Sequence, residues 1–180
     1  MNLNLKIPDG RHYSEPVSFQ HLFRLGMKRD LPELLAFDGP SFDCGASGKY
    51  VAPGAVPLGP PQWIVPRDPI PAADDSVATV HAYHFLEHLA GDDAVKFLRE
   101  VERVLIPGRS VFNFSVPYFN TVLMAQSLEH KSWWCEETFP KLFHEDTFRY
   151  YGEWRLRVHF QVIMGIVNRN VGLLGQLVKD

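Results

Sequence analysis

The 180-residue sequence has few of the features that mark secreted, membrane-spanning or nucleic-acid-binding proteins. It holds only two cysteines, Cys44 and Cys135, without a C-x-x-C spacing, so a disulfide framework is not expected and a reducing compartment is the default. No run approaches the roughly 18 apolar residues of a membrane helix, and the N-terminus has no apolar core of signal-peptide length. The net charge of −3 provides no polybasic surface for DNA or RNA. These absences predict a cytoplasmic protein with no membrane partner and no strong nucleic-acid signal.

The most informative stretch runs from Asp74 to Gly108 and reads DDSVATVHAYHFLEHLAGDDAVKFLREVERVLIPG. Its first part holds β-branched residues after turn formers, which predicts a strand, and residues 82–89 then take a helical spacing. A longer helix follows, in which an apolar stripe recurs at helical intervals: Ala94, Leu98, Val101 and Leu105. Residues 110–116 predict a second buried strand. Strand, helix and strand together predict a βαβ unit in a parallel sheet.

This stretch resembles the central segment of class I S-adenosylmethionine-dependent methyltransferases, most closely the type 11 group with D-[ND]-S-[FV]…H-[VF]-L-E-H-[LF]…L-x-E-x-x-R-V-L-x-P-G-G. The resemblance extends from about Ser41 to the C-terminus. It implies one α/β domain with a mostly parallel seven-stranded sheet, a trimmed first helix and a C-terminal antiparallel hairpin. We expect residues 1–40 to form an N-terminal arm and covering helix, and residues 41–180 to form the methyltransferase-like domain. Residues 62–65 predict a brief third strand between proline-rich turns.

The resemblance implies S-adenosylmethionine as the cofactor, bound at the carboxyl ends of the strands, where open α/β sheets bind ligands. Residues 41–50, SFDCGASGKY, resemble motif I of a short-loop subgroup. The residues implied in cofactor binding are Cys44, Gly45, Ala46, Ser47, Leu58, Gly59, Asp68, Ala82 and Tyr83. The chain departs from the family where Gly59 stands in place of an acidic residue that binds the ribose, where Ser47 replaces a glycine, and where Arg109 replaces the second glycine of P-G-G. Gly59→Asp discriminates between the interpretations: a sharp rise in cofactor affinity would mean a weakened family site, and no change would mean that the ribose lies elsewhere or that nothing binds.

The corner after the first strand of this unit holds three polar residues, His84, Glu87 and His88, which would share one face of a helix. Two uses are open. They brace the corner structurally, or His84, with His81 just before it as the other candidate, is a general base near the transferred methyl group, since imidazole titrates near neutral pH. We take His84 as the candidate catalytic residue.

A metal site is the third use of the same corner. H-x-x-E-H is the inverzincin zinc motif, and some class I methyltransferases bind a divalent ion through an E-x-x-E-H corner and a distant histidine. In this chain His84 occupies the position of the first Glu of that motif, and the distant histidine would be His130 or His144. We expect no metal; if one is bound, the expected ligands are His84, Glu87, His88 and His130.

The function implied by the resemblance is transfer of a methyl group from S-adenosylmethionine to an oxygen or nitrogen of an unidentified acceptor, with a small molecule or a glycan as candidates. Tyr118, Phe119, Trp133 and Trp134 are candidates for an aromatic wall of the acceptor site. The departures from the family motivate a rival, a degenerate fold retained as a non-catalytic binding or scaffold module. A zinc peptidase using H-x-x-E-H is a third hypothesis.

Overall fold

A six-stranded sheet forms the centre of the protein in the computed structural model, which describes residues 5–6, 12–13, 34–46, 51–166 and 170–180. The strands are β1 Leu5–Lys6, β2 His12–Tyr13, β3 Ser41–Cys44, β4 Val56–Leu58, β5 Thr79–Tyr83, β6 Val111–Pro117, β7 Leu156–Ile166 and β8 Asn170–Lys179. The large sheet has the order β4-β3-β5-β6-β8-β7, and β1 pairs with β2 separately. Strands β3 to β6 are parallel, while β8 runs antiparallel to both of its neighbours.

The mostly parallel sheet and the C-terminal hairpin predicted from the sequence are confirmed, but the strand count differs. The strand predicted over Gln62–Val65 is wrong: the described residues there form turns and the sheet has six strands. The turns have local hydrogen bonds, because Trp63 N–H donates to the Gly59 carbonyl at 3.1 Å and Asp68 N–H donates to the Ile64 carbonyl at 2.9 Å. The prolines that flank this segment have no N–H group for a sheet ladder. Strand β4 therefore forms one edge of the sheet.

The helices of the described chain are α1 Gly91–Val104, α2 Val122–Ala125, α3 Thr138–Leu142 and α4 Phe148–Tyr151, with 3-10 turns at Leu86–His88 and Glu145–Thr147. Helix α1 connects β5 to β6 as the predicted βαβ crossover and buries an apolar stripe of Ala94, Phe97, Leu98, Val101 and Val104. Residues 45–55 connect β3 to β4, and their described part holds no helix, in agreement with the trimmed first helix. None of the described helices combines the length and apolar character that crossing a membrane requires.

The corner after β5 is not the helix predicted over residues 82–89. Strand β5 continues to Tyr83, which pairs with Ser115 of β6. His84 then ends the strand with a φ of 51°, in the left-handed region that side-chain-bearing residues rarely adopt. Its N–H donates to the Ser115 carbonyl at 2.9 Å. The sheet therefore extends two residues further than the helical spacing suggested, and only a short 3-10 turn follows, at Leu86–His88.

Aromatic side chains fill the core between α1, the sheet and α3. The ring centroids of Phe97 and Phe112 lie 6.0 Å apart, and Phe114 lies 4.5 Å from Phe139. All four rings are fully or almost fully buried. Each large aromatic ring removes a large apolar area from water, so this layer fixes α1 against the sheet and holds the carboxyl ends of β5 and β6 in place.

The residues predicted to form the N-terminal arm are described only in part. Leu5–Lys6 and His12–Tyr13 pair antiparallel, and residues 34–40 lead into β3. The remainder of the predicted arm and covering helix lies outside the described residues, and the division at residue 40 stays a prediction.

Candidate functional site

The carboxyl ends of β3, β4 and β5 converge, and two glycines lie at their meeting point. Gly45 follows β3 with a φ of 83°, and its N–H donates to the Leu58 carbonyl of β4 at 2.7 Å. A Cβ atom at position 45 would lie 2.4 Å from the ring of Phe85. Glycine is therefore required at position 45 by both backbone conformation and space. The Phe85 side chain packs directly against the Gly45 backbone, and residue 45 itself adds no side chain to this strand end.

Gly59, at the end of β4, is also required by packing. A Cβ atom there would lie 2.6 Å from the carbonyl oxygen of Ala46, a distance that real Cβ contacts do not show. The expectation that Gly59 marks the simple loss of a ribose-binding acid therefore needs correction. An acidic side chain at this position would force apart the two strand ends that carry Gly45 and Gly59. Ser47, the neighbouring departure, lies outside the described residues.

Three of the other predicted cofactor residues, Cys44, Leu58 and Ala82, turn their side chains into the core. Their exposed fractions are 0%, 8% and 0%. Burial raises the pKa of the Cys44 thiol well above its usual value, so this cysteine stays protonated and unreactive. Only main-chain atoms of these residues are available to a ligand. Their assignment to the cofactor site stays a prediction.

Asp68, also predicted to contact the cofactor, lies in a groove beside α1. Its carboxylate accepts hydrogen bonds from Ile64 N–H at 2.8 Å and from Arg67 Nη2 at 2.7 Å. The Arg67 guanidinium holds the pKa of Asp68 below its usual value. The groove has a volume of about 560 Å³, and Lys96 and Tyr150 also line it. The structure thus gives Asp68 two local partners.

A row of polar side chains crosses four neighbouring strands in register: Asp43 of β3, His81 of β5, Asn113 of β6 and Gln176 of β8. Gln176 Nε2 donates to the Leu35 carbonyl at 2.9 Å and to Asn113 Oδ1 at 2.7 Å, while its Oε1 accepts from Leu35 N–H. This orients the Asn113 amide so that its Nδ2 donates towards His81 Nδ1 at 3.3 Å. His81 Nδ1 is therefore an acceptor, and the ring is neutral.

The electrostatics of this row exclude one of the two predicted bases. Burial lowers the pKa of His81 to about 4, so its imidazole is a weak base near neutral pH. Tyr83, a predicted cofactor residue, lies with its hydroxyl 2.8 Å from His81 Nδ1, and burial raises its pKa well above the usual value. Burial also raises the pKa of Asp43 to about 6, although Ala52 N–H donates to its carboxylate. No sequence motif indicated this row; polar residues in the middle of otherwise buried strands were the available signal.

The corner after β5 brings His84 and Glu87 together. His84 Nδ1 lies 3.2 Å from Glu87 Oε1, in an arrangement that does not meet hydrogen-bond geometry. The His84 side chain is 18% exposed, whereas that of Glu87 is fully buried. The Glu87 carboxylate therefore lies next to the imidazole of the candidate base, as a carboxylate commonly does beside a histidine base. The left-handed φ of His84 is the kind of backbone strain that occurs at functional sites.

Glu87 also belongs to a cluster with His88 and His130, in which one ligand atom from each residue lies within 4.8 Å of the others. The structure thus unites three of the four residues named for a possible metal site. The other distant candidate, His144, caps the 3-10 turn at Glu145–Thr147, where its Nδ1 accepts from Asp146 N–H. Because His84 and His88 are not on one helix, the peptidase motif lacks the helical geometry that it requires.

The predicted aromatic wall is divided between core and surface. Trp134 is buried, whereas Trp133 is 72% and Phe119 is 45% exposed. Tyr118 donates its hydroxyl proton to Glu136 at 2.6 Å, and this bond raises the pKa of Tyr118 to about 12. Of the four aromatic residues, Phe119 and Trp133 therefore remain available for contact with an acceptor.

Comparisons with known proteins agree with this geometry. Residues 65–112 match the model of the family described as "Methyltransferase domain". A comparison with curated proteins finds no match. Among solved structures, the chain is similar to one in the complex between the Haloferax volcanii Trm112 methyltransferase activator and a methyltransferase, with 16% identity, a TM-score of 0.55, and coverage of 78% of this chain and 82% of that one.

Two further structures show the same fold. The YcgJ protein from Bacillus subtilis is 13% identical with a TM-score of 0.53, and the match covers 79% of this chain and 92% of YcgJ. A SAM-dependent methyltransferase from Archaeoglobus fulgidus is 12% identical with a TM-score of 0.50, covering 77% of this chain and 86% of the other. At these identities the likeness concerns the fold.

The fold is therefore that of class I methyltransferases, enzymes whose cofactor is S-adenosylmethionine. Within that class, the matched central segment is that of the type 11 methyltransferase domain. These comparisons confirm three predictions from the sequence: the resemblance to class I methyltransferases, the α/β fold, and S-adenosylmethionine as the cofactor of the class.

Proposed function

We propose that the protein transfers the methyl group of S-adenosylmethionine to an oxygen or nitrogen atom of an acceptor. The observation that supports this most directly is the pair of strand ends at Gly45 and Gly59, where close-packed backbone lies at the ligand-binding edge of the sheet. The chain's own contribution to the reaction is positioning, since methyl transfer needs the acceptor atom in line with the methyl group. A small molecule or a glycan is the proposed acceptor, with Phe119 and Trp133 beside it.

The main-chain site fits the methionine part of the cofactor better than its ribose. Gly59 offers no carboxylate and has no room for one. Loss of a charge-assisted hydrogen-bonded pair weakens binding by about 1.5 to 3 kcal/mol. We therefore expect micromolar rather than tighter affinity for S-adenosylmethionine and S-adenosylhomocysteine. Calorimetric titration of the full chain with both compounds tests this. No heat at millimolar ligand, with the protein folded, would favour the non-catalytic binding module instead.

His84 is the proposed general base, with the Glu87 carboxylate 3.2 Å from its Nδ1. We expect His84→Asn to retain affinity for S-adenosylhomocysteine, because asparagine tolerates the left-handed backbone of position 84. Transfer of labelled methyl to a pool of small-molecule and glycan acceptors should fall by about 10² to 10⁴. The difference in methyl transfer between His84→Asn and the parent should become smaller as pH rises, because an acceptor that has already ionised needs no base.

The matched control for this variant is His144→Asn, because the His144 side chain is exposed and its recorded partner is the nearby Asp146. It is expected to leave both cofactor binding and methyl transfer unchanged. Equal activity of His84→Asn and the parent protein over the whole pH range would mean that His84 only braces the corner.

A further inference from the structure

We infer that Glu87, His88 and His130 bind a divalent transition-metal ion. Their ligand atoms lie within 4.8 Å of one another, close enough for one ion to contact all three after small side-chain adjustments. This ligand set departs from both sequence motifs considered above, because His84 is not part of it. The inference does not depend on methyl transfer, since metal binding is measured directly.

The first supporting observation is the state of Glu87. Its side chain is fully buried, and neither carboxylate oxygen has a hydrogen-bond partner among the described residues. Burying a carboxylate without such partners is strongly unfavourable, and native proteins avoid it unless a positive charge or a metal compensates. His84 Nδ1 lies 3.2 Å from Glu87 Oε1 but does not form a hydrogen bond with it. A cation between Glu87 and the two histidines supplies the missing partner.

The second observation is the orientation of the His130 ring. Its Nδ1 lies 2.9 Å from the carbonyl oxygen of Met124. A carbonyl only accepts, so Nδ1 carries the proton and donates it, and Nε2 is left with a free lone pair. Metal-binding histidines commonly donate their second ring N–H to a backbone carbonyl in this way. The His88 ring lies 5.0 Å from the His130 ring and nearly perpendicular to it.

The third observation is that the backbone ties the two halves of the cluster together. The Glu87 carbonyl accepts from Lys131 N–H at 2.6 Å and from Ser132 N–H at 3.2 Å. The Ser132 hydroxyl donates to the Leu86 carbonyl at 2.9 Å. The loop that carries His130 is thus fixed to the corner that carries Glu87 and His88. A site whose ligands are held before the ion arrives needs little rearrangement to bind it.

The donor set indicates the class of ion. Two imidazole nitrogens and one carboxylate suit Zn²⁺, Mn²⁺, Fe²⁺ or Co²⁺, whereas Mg²⁺ and Ca²⁺ prefer oxygen ligands. Three protein ligands leave at least one coordination position open for water or for an oxygen or nitrogen atom of a bound molecule. The cluster follows β5 directly, at the ligand-binding edge of the sheet.

The test is calorimetric titration of the chelator-treated full chain with ZnCl₂, MnCl₂ and MgCl₂, together with the visible spectrum after addition of CoCl₂. We expect one equivalent of Zn²⁺ or Mn²⁺ to bind and Mg²⁺ to bind far more weakly. Loss of groups that merely orient a ligand lowers metal affinity 10- to 100-fold. Glu87→Gln and His130→Ala remove ligands and should lower it by at least that factor, whereas His144→Ala should bind like the parent.

Thermal unfolding distinguishes loss of the site from loss of the fold. Zn²⁺ should raise the melting temperature of the parent protein and of His144→Ala, but not that of Glu87→Gln. Without metal, Glu87→Gln should be folded and about as stable as the parent, because glutamine has the same shape and neither Glu87 oxygen has a hydrogen bond to lose. Absence of saturable one-to-one binding by the parent, or binding by Glu87→Gln and His130→Ala with the same affinity as the parent, would overturn the inference.

Discussion

Replacing Asp43 by Asn is expected to make the stability of this protein increase more steeply between about pH 4 and 6 than the stability of the parent does. Burial raises the pKa of Asp43 from 3.8 to about 6 and lowers the pKa of its neighbour His81 from 6.5 to about 4. Both side chains are thus neutral in the folded protein at pH 5, and both are charged in the unfolded chain. Their effects on stability have opposite signs.

The signs follow from proton binding. Between pH 4 and 6 the folded protein holds a proton on Asp43 that the unfolded chain has lost, so this residue makes stability fall as pH rises. In the same range the unfolded chain holds a proton on His81 that the folded protein lacks, so this residue makes stability rise. Each shift is about 2 pH units or slightly more and corresponds to roughly 3 kcal/mol. In the parent protein the two contributions largely cancel.

Four proteins test this cancellation by urea unfolding at several pH values: the parent, Asp43→Asn, His81→Asn and the double variant. Relative to the parent, Asp43→Asn should gain roughly 3 kcal/mol of stability from pH 4 to 6, and His81→Asn should lose a similar amount. The double variant should resemble the parent, because all other ionisable groups are common to the four proteins. If the free energy of unfolding changed with pH in the same way in all four proteins, neither Asp43 nor His81 would titrate as its burial indicates.

The sequence predicted the parts of the fold that depend on local pattern and on the long family signature. The crossover helix was found because its apolar spacing repeats along 14 residues, and the strands beside it and the C-terminal hairpin were found from β-branched residues and from alternation. The corner at residues 82–89 was missed, because its helical spacing is also compatible with a strand that continues to Tyr83 and ends in a left-handed residue, His84. Pairing with β6 decides between the two, and pairing is not a local property.

In the candidate site, too, the features that depend on local sequence could be predicted, and those that depend on contacts between distant parts of the chain could not. The cluster of Glu87 and His88 follows from their adjacency, but its contact with His130 depends on hydrogen bonds between two loops some forty residues apart. The polar row from Asp43 to Gln176 depends on the register of four strands. Phe85 was not a candidate in the sequence, yet its ring determines that position 45 is glycine.

The second large effect concerns Gly59, which stands where the family pattern of the resemblance has an acidic residue. By the family pattern, Gly59→Asp should restore a ribose-binding acid and raise cofactor affinity. From the structure we expect the opposite, because any Cβ at this position meets the Ala46 carbonyl oxygen at 2.6 Å. That oxygen belongs to the backbone and cannot move alone, since the preceding residue, Gly45, donates its N–H to Leu58. Gly59→Ala and Gly59→Asp should both lose about 1 to 3 kcal/mol of stability.

The measurements are urea unfolding and calorimetric titration with S-adenosylhomocysteine. Gly91→Ala is the matched control, because nothing lies within 4 Å of a Cβ at Gly91 and its φ is not in the left-handed region. It should change stability by less than about 1 kcal/mol, in the stabilising direction. Gly59→Asp should bind the ligand no more tightly than the parent protein. A stable Gly59→Asp variant with higher affinity would mean that the strand ends open readily and that the glycine represents a lost acid, as the family pattern implies.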